Sequence, residues 1–256
     1  MSKSAVTAVV PIHNSEGKTA NLRDSIRQAK NIKFVLVFDS CNDGTLREFS
    51  EIIENCEKLN VQAIYGEFGS PGIARNAGLH FVDSEWVVFW DADDNPNPDA
   101  LVECVNTLDK KKFDMIVTQY SKTDFLSEKK LGRVSETRHK YQLVTNPGIW
   151  RIVFNARLAK EVSFPEFRMG EDQCFLAEIL SKKPNLFFSP RITYSYSVGS
   201  PGQLTKNQLA KLELKRTITF TLRQALRTKH NRLALGLMAA RQIVSLAKVR
   251  LLDQRV

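Results

Sequence analysis

The chain has 256 residues, 43% of them hydrophobic and 25% charged, and a formal charge of +9. That length suits one large domain or a domain with an appendage, and the composition is globular, neither disordered nor fibrous. Met1-Ser2-Lys3-Ser4 runs too soon into the apolar stretch 6–10 and Pro11 for a signal peptide, and no apolar run approaches the ~20 residues of a membrane span, so a cytosolic location is expected.

Cys41, Cys56, Cys104 and Cys174 are widely spaced without a C-x-x-C pair, which argues against a zinc site or a disulfide framework. The charge is uneven. From Lys206 to the end twelve Lys or Arg face only Glu213 and Asp253, a net of +10, which leaves the first 205 residues near −1. The boundary drawn from this shift separates a domain over 1–205 from a basic helical extension over 206–256.

The first half alternates strands and helices. Val6 to Ile12 reads as a strand, Lys18 to Lys30 as helix, Phe34 to Phe38 as a second buried strand, and Thr45 to Leu59 as one amphipathic helix. Val61 to Tyr65, a helix over Ile73 to Val82 and a strand over Trp86 to Trp90 follow. Such alternation predicts an α/β fold, a mostly parallel sheet with helices on both faces, whose ligands collect where the strands' carboxyl-end loops converge. Those loops carry the polar residues: Pro11 to Glu16, Asp39 to Thr45, Gly66 to Gly72, and Asp91-Ala92-Asp93-Asp94. The glycine-rich third loop lets backbone approach a ligand, and Arg75 lies in the first turn of the helix behind it, beside N–H groups suited to an anion.

Asp91, Asp93 and Asp94 are three carboxylates within four positions at the end of an apolar strand. They read either as a solvated acidic turn before Pro96 and Pro98, or as ligands of a divalent cation shared with a phosphorylated substrate. The four loop tips together favour a nucleotide-diphosphate crevice. Beyond them come a helix over Asp99 to Leu108, a strand over Phe113 to Gln119, and a polar stretch from Ser121 to His139, either a β-hairpin or a mobile loop. Ile152-Val153-Phe154 is apolar. Glu171 and Asp172 open a helix marked by Phe175, Leu176, Ile179 and Leu180, either as acids that suit a helix start or as a general base near a reacting carbon. Asn185 to Phe188 and Ile192 to Tyr196 read as two strands.

Pro11-x-x-Asn14-x-Glu16, the Asp39 to Thr45 segment, Gly72-x-Ala74-Arg75-Asn76-x-Gly78, Phe89-Trp90-Asp91-Ala92-Asp93-Asp94, Gly170-Glu171-Asp172-x-x-Phe175 and Tyr194-x-Tyr196 occur in this order over roughly residues 5 to 205. The set resembles family 2 glycosyltransferases of the GT-A fold, a Rossmann-like architecture. The resemblance implies an inverting, Mn²⁺- or Mg²⁺-dependent transferase that moves a hexosyl or hexosaminyl group from a nucleotide sugar, most often a UDP-sugar. Its acceptor would be a hydroxyl of a glycan or lipid-linked molecule in surface-polysaccharide or lipopolysaccharide synthesis. Pro11, His13, Asn14, Glu16, Asp39, Arg75 and Asp91 would then bind nucleotide, with Asp39 accepting from a uracil N–H. Asp93, with Asp91, would ligate the cation, and Asp172 would be the catalytic base supported by Glu171.

The tail from Gln208 to Val256 is helical in character, with a break near His230 and Asn231. On its second helix Arg241, Ser245, Lys248 and Arg255 are expected along one face, opposite Ile243, Leu246, Ala247 and Leu251. A basic amphipathic helix suits the anionic inner face of a membrane; an apolar stripe packed on the domain or on a second copy in a homodimer is the other reading. Charge alone raises a nucleic-acid binder as the competing class, but the tail has only Phe220 for base stacking, so no specific nucleic acid is expected. A GT-A nucleotide-binding protein without transfer activity is the remaining alternative.

Overall fold

The computed structural model describes residues 4–108, 112–134, 142–201 and 213–253. Among these, one nine-stranded sheet begins with four parallel strands in the order β3-β2-β1-β4: β1 (Val6–Ile12), β2 (Ile32–Asp39), β3 (Val61–Gly66) and β4 (Trp86–Phe89). The intervening helices are α1 (Ala20–Gln28), the short α2 (Thr45–Glu48), α3 (Ser50–Glu54) and α4 (Cys56–Leu59), and α5 (Pro71–Leu79). The chain continues through β5 (Asn95–Pro96), α6 (Pro98–Asn106), β6 (Met115–Asp124), β7 (Lys130–Val134), α7 (Gln142–Thr145), β8 (Ile152–Asn155) and α8 (Ala156–Lys160). It closes with α9 (Glu171–Ser181), β9 (Leu186–Val198), α10 (Leu214–Arg227) and α11 (Arg232–Asp253). Beyond β4 the order is β8-β6-β9-β5, with β8 antiparallel to both β4 and β6, β9 parallel to β6, and β7 paired with β6.

The two-residue period of the strands divides the interior into two cores. Val9, Val35, Val37, Val87 and Phe89 face one layer, under α5 and α9, while Ala8, Val10, Phe34, Leu36, Trp86 and Val88 face the other, under α1, α3 and α6. Buried on both faces, these strands read as continuous apolar runs. Ala225, Ala234, Leu235 and Met238 of α10 and α11 belong to the same buried cluster as Val9 and Phe89, so the two C-terminal helices complete the core over α9.

Two glycines fix close approaches. A Cβ on Gly78 would lie 2.5 Å from Val9 Cγ1 and 3.0 Å from Val37 Cγ2, so α5 sits directly on β1 and β2. Gly170 adopts φ +84°, and a Cβ there would lie 2.5 Å from Thr217 Oγ1 on α10. That left-handed residue turns the chain into α9 and lets α10 press against the turn that carries Glu171 and Asp172.

Four expectations are corrected. The single helix over 45–59 is three short helices, interrupted at Phe49 and Asn55; Phe49 is fully buried, edge-on to Phe38, which spaces the apolar positions as one amphipathic stripe would. The strand expected over 113–119 runs on to Asp124 and forms a hairpin with β7, so the described part of the polar stretch is a hairpin; residues 135–139 lie outside the described residues. The two strands over 185–196 are one, β9, whose pairing with β6 shifts register between Val117 and Tyr120, across the Pro190 segment that resembled a break. On α11 the expected faces hold only in part: Ser245 is exposed and Leu246 buried, but Arg241 is half-buried and Ile243 and Ala247 are exposed, because the buried stripe runs through Leu235, Met238, Ala239, Gln242 and Leu246. The side chains of Lys248, Leu251 and Arg255 lie outside the described residues.

Candidate active site

The carboxyl ends of β1, β2 and β4, the β3–α5 loop and the first turn of α9 enclose a cavity of about 680 Å³. Pro11, His13, Asp39, Arg75, Asp91, Asp93, Glu171 and Asp172 all line it, with Lys18, Trp150, Arg168 and Gln173. This is the edge where an open α/β sheet gathers its ligands.

Arg75 ties the two acidic groups together. Ser70 caps α5 by accepting from the Ile73 N–H, Pro71 occupies the first turn, and the helix carries Arg75 into the interior, 5% exposed. Its Nη1 donates to Glu171 Oε1 and its Nη2 to Asp91 Oδ1, each at 2.7 Å, and the guanidinium lies 5.6 Å from the Phe164 ring centroid. Burial opposes the Arg75 charge, but Asp91 and Glu171 outweigh it and raise its pKa. Among the described residues Asp172 has no such ion pair. Its Oδ1 accepts the Gln173 N–H at 2.8 Å, and burial, reinforced by the Glu171 charge, pushes its pKa up to about 7. A carboxylate poised there can take a proton near neutral pH.

At the end of β4 the three acids have different surroundings. Asp94 is fully buried and used by the fold: its Oδ2 accepts from the Tyr194 hydroxyl and its Oδ1 from the Ser197 N–H, both at 2.6 Å. The same hydroxyl oxygen accepts the Asp91 N–H at 3.2 Å, so Tyr194 of β9 holds both ends of the acidic turn. Asp93 faces the cavity with its pKa raised by burial and then by Asp91. Tyr194→Phe removes a donor from one buried group and an acceptor from another, at a cost of about 1–3 kcal/mol. The melting temperature in a thermal denaturation scan should fall by about 5 °C.

The loops around the cavity are mutually braced. His13 Nδ1, which must carry its proton, donates to the Asp39 carbonyl at 2.7 Å. Asp39 Oδ1 accepts from the Phe68 and Gly69 N–H groups at 2.7 and 3.2 Å, binding the glycine-rich loop to the end of β2. Asn14 and Glu16 are not among the lining residues. The Asn14 amide oxygen accepts from the Asn42 N–H, and Glu16 Oε2 from the Gly44 N–H, both at 3.0 Å, so they join the first loop to the second. Among the described residues no group of three or more His, Cys, Asp or Glu is placed to hold a metal. Asp91 and Asp93 both line the cavity, oxygen donors of the kind that a hard divalent cation takes when a ligand's own oxygens complete its shell.

Several participants carry no recognisable sequence signal. Lys18 is a single loop lysine that lines the cavity near Asp93. Arg241 reaches the site from α11: its Nη2 donates to Gln173 Oε1 at 2.9 Å, and Gln242 Nε2 donates to the same oxygen at 3.0 Å. The tail therefore braces the residue that follows Asp172.

Residues 7–160, more than half of the chain, match the family model described as Glycosyl transferase family 2. Curated relatives include glycosyltransferase GlyA of Streptococcus pneumoniae, 24% identical over 75% of this chain and 30% of its own length. A poly(ribitol-phosphate) beta-glucosyltransferase of Bacillus spizizenii is 23% identical over 77% of this chain and 33% of its own. The chain thus spans about a third of the length of these two relatives. Among solved structures, TarS 1-349 of S. aureus in complex with UDP-GlcNAc superposes with a TM-score of 0.73 at 18% identity, over 94% of this chain and 72% of that one. The mannosyltransferase PcManGT of Pyrobaculum calidifontis, in complex with GDP-Man and Mn²⁺, gives 0.68 at 17% identity, over 96% and 73%. The nine-stranded mixed sheet is thus a GT-A-like fold, and the chain belongs to glycosyl transferase family 2.

Proposed function

We propose that the chain transfers a sugar, with inversion, from a UDP-sugar to a hydroxyl of a surface-polysaccharide acceptor, using Asp172 as base. One observation carries this reading: a single cavity joins the Asp91–Asp93 carboxylates to a carboxyl at Asp172 with its pKa near 7. Support for a uridine nucleotide and a polymeric acceptor comes from the relatives, one captured with UDP-GlcNAc and one named for poly(ribitol-phosphate).

In this mechanism Pro11, His13 and Asp39 border the nucleoside, while Lys18 and Arg75 offer positive charge toward the diphosphate. Asp93 with Asp91 would hold Mn²⁺ or Mg²⁺, which when bound supplies Lewis-acid neutralisation of the leaving diphosphate. Asp172 accepts the acceptor's hydroxyl proton as that oxygen bonds to the anomeric carbon. The bond from that carbon to the diphosphate oxygen breaks, and the diphosphate leaves with the electron pair. One displacement inverts the centre and needs no covalent nucleophile. A domain over 1–205 with the basic helices as its extension, a cytoplasmic setting that includes the inner membrane face, and a homodimer belong to the same reading. Among the described residues no helix is long and apolar enough to cross a membrane.

The test is nucleotide release from UDP-, GDP- and dTDP-sugars with Mn²⁺, Mg²⁺ or chelator, beside Asp93→Ala, with nucleotide binding followed calorimetrically in the same samples. Release from UDP-sugars, dependent on metal and reduced at least about 100-fold in the variant, is expected. A wild-type protein that binds no nucleotide with metal present overturns the reading.

A further inference from the structure

A second cleft, about 300 Å³, lies on α10 and is lined by Phe167, Lys215, Arg216, Thr219, Phe220 and Arg223. Positions 215/216, 219/220 and 223 recur at helical spacing, so the helix presents them on one exposed side while Leu214, Thr217, Ile218, Thr221 and Ala225 face the core. The far wall is Phe167. Its neighbour Arg168 lines the catalytic cavity, so one short loop separates the two hollows. The Arg168 N–H donates to Glu213 Oε2 at 3.0 Å, which pins that loop to the start of α10 and engages the nearest acid.

The cleft is cationic. Arg23, Arg27, Lys33, Arg75, Lys182 and Arg191 all have carboxylate partners. Among the described residues Lys215, Arg216 and Arg223 have none, no acid lines the cleft, and the Arg216 guanidinium rests 5.5 Å from the Phe167 ring centroid. Lys215 to Arg223 covers about 12 Å of helix, from a rise of 1.5 Å per residue, more than one anionic group would occupy. Three exposed like charges grouped around two aromatic rings favour a multivalent anion, and arginine favours phosphate oxygens.

We infer that this cleft is an acceptor subsite that binds successive phosphate groups of an anionic acceptor polymer whose hydroxyl enters the cavity at Asp172. The inference rests on the transferase reading and deepens it by naming the acceptor's chemistry. An anionic membrane is the rival occupant, since Leu222 and Leu226 are exposed farther along α10, but they lie outside the cleft and the cations lie within it.

The experiment uses the full chain and a fluorescently labelled ribitol-phosphate hexamer, read by anisotropy, with a neutral maltohexaose of the same label as control. UDP binding by calorimetry with Mn²⁺ and sedimentation with phosphatidylglycerol vesicles run in parallel. Wild type should bind the phosphate hexamer at least about 10-fold more tightly than the neutral one. The Lys215→Gln, Arg216→Gln, Arg223→Gln triple variant should lose about 30-fold of that affinity while UDP affinity stays within about twofold. Arg216→Lys with Arg223→Lys should bind more tightly than the triple variant, which separates charge from folding. Hexamer binding unchanged in the triple variant, or absent from a protein that binds UDP, overturns the inference. So does vesicle binding lost in the triple variant without hexamer binding. Failure to bind UDP strikes the transferase reading itself, and the subsite with it.

Discussion

Asp172→Asn is expected to lower the transfer kcat by about 10²–10⁴ and yet to raise the melting temperature above pH 7. Asparagine keeps the shape and the oxygen that accepts the Gln173 N–H but takes no proton from a hydroxyl. The stability gain follows from the acid's surroundings. Burial first, then the Glu171 charge, lift its pKa from 3.8 to about 7, so the folded chain holds a proton that the unfolded chain has released. Below about pH 4 both states are protonated and the site imposes no penalty. Between 4 and 7 the native state is destabilised as pH rises, and above 7 the full penalty stays. The variant and the wild type should therefore melt together at pH 4, with the variant higher by at least about 3 °C at pH 8. In the wild type, kcat/KM should climb with pH through one ionisation near 7, the reverse of the stability trend. A melting temperature that drops in the variant at pH 8 would mean that Asp172 is a structural acid.

The parallel half of the fold was legible because its strands are buried on both faces, and short β-branched and aromatic runs such as 34–38 and 86–90 suit a two-sided strand better than a helix. The cavity was legible for a related reason: the strand ends carry Asp39, Asp91 and Asp93, polar residues that an apolar strand does not otherwise need. Asn14 and Glu16 belong to the same motif, yet their side chains bond to backbone N–H groups of the neighbouring loop; spacing in sequence does not tell a ligand-facing polar residue from a loop-bracing one. That Asp94 is spent on the fold was equally hidden, since it depends on Tyr194, a hundred residues farther on. On α11 packing buries the stripe through Leu235 and Gln242, turning Arg241, expected on the basic face, inward to Gln173. Long-range contacts of that kind are what a one-dimensional pattern cannot carry.

Arg75→Met should be the most damaging single change to the site's architecture. Among the described residues the guanidinium is the one group that meets both Asp91, just beyond β4, and Glu171 on α9, and methionine fills much of its volume without the charge. Glu171 is 6% exposed, and burial already raises its pKa while Arg75 opposes the rise. Removing the cation leaves a desolvated carboxyl without its partner, which typically costs about 3–5 kcal/mol, or about 10 °C in melting temperature for a chain of this size. Nucleotide release should vanish with it, since Asp91 loses its anchor beside Asp93. Folding and function can be separated by adding Glu171→Gln to Arg75→Met. The neutral amide no longer needs the cation, so the double variant should regain more than half of the lost stability and none of the activity. A double variant that melts at the sum of the two single losses would show that the pair is not coupled, and that Arg75 acts on Asp91 alone.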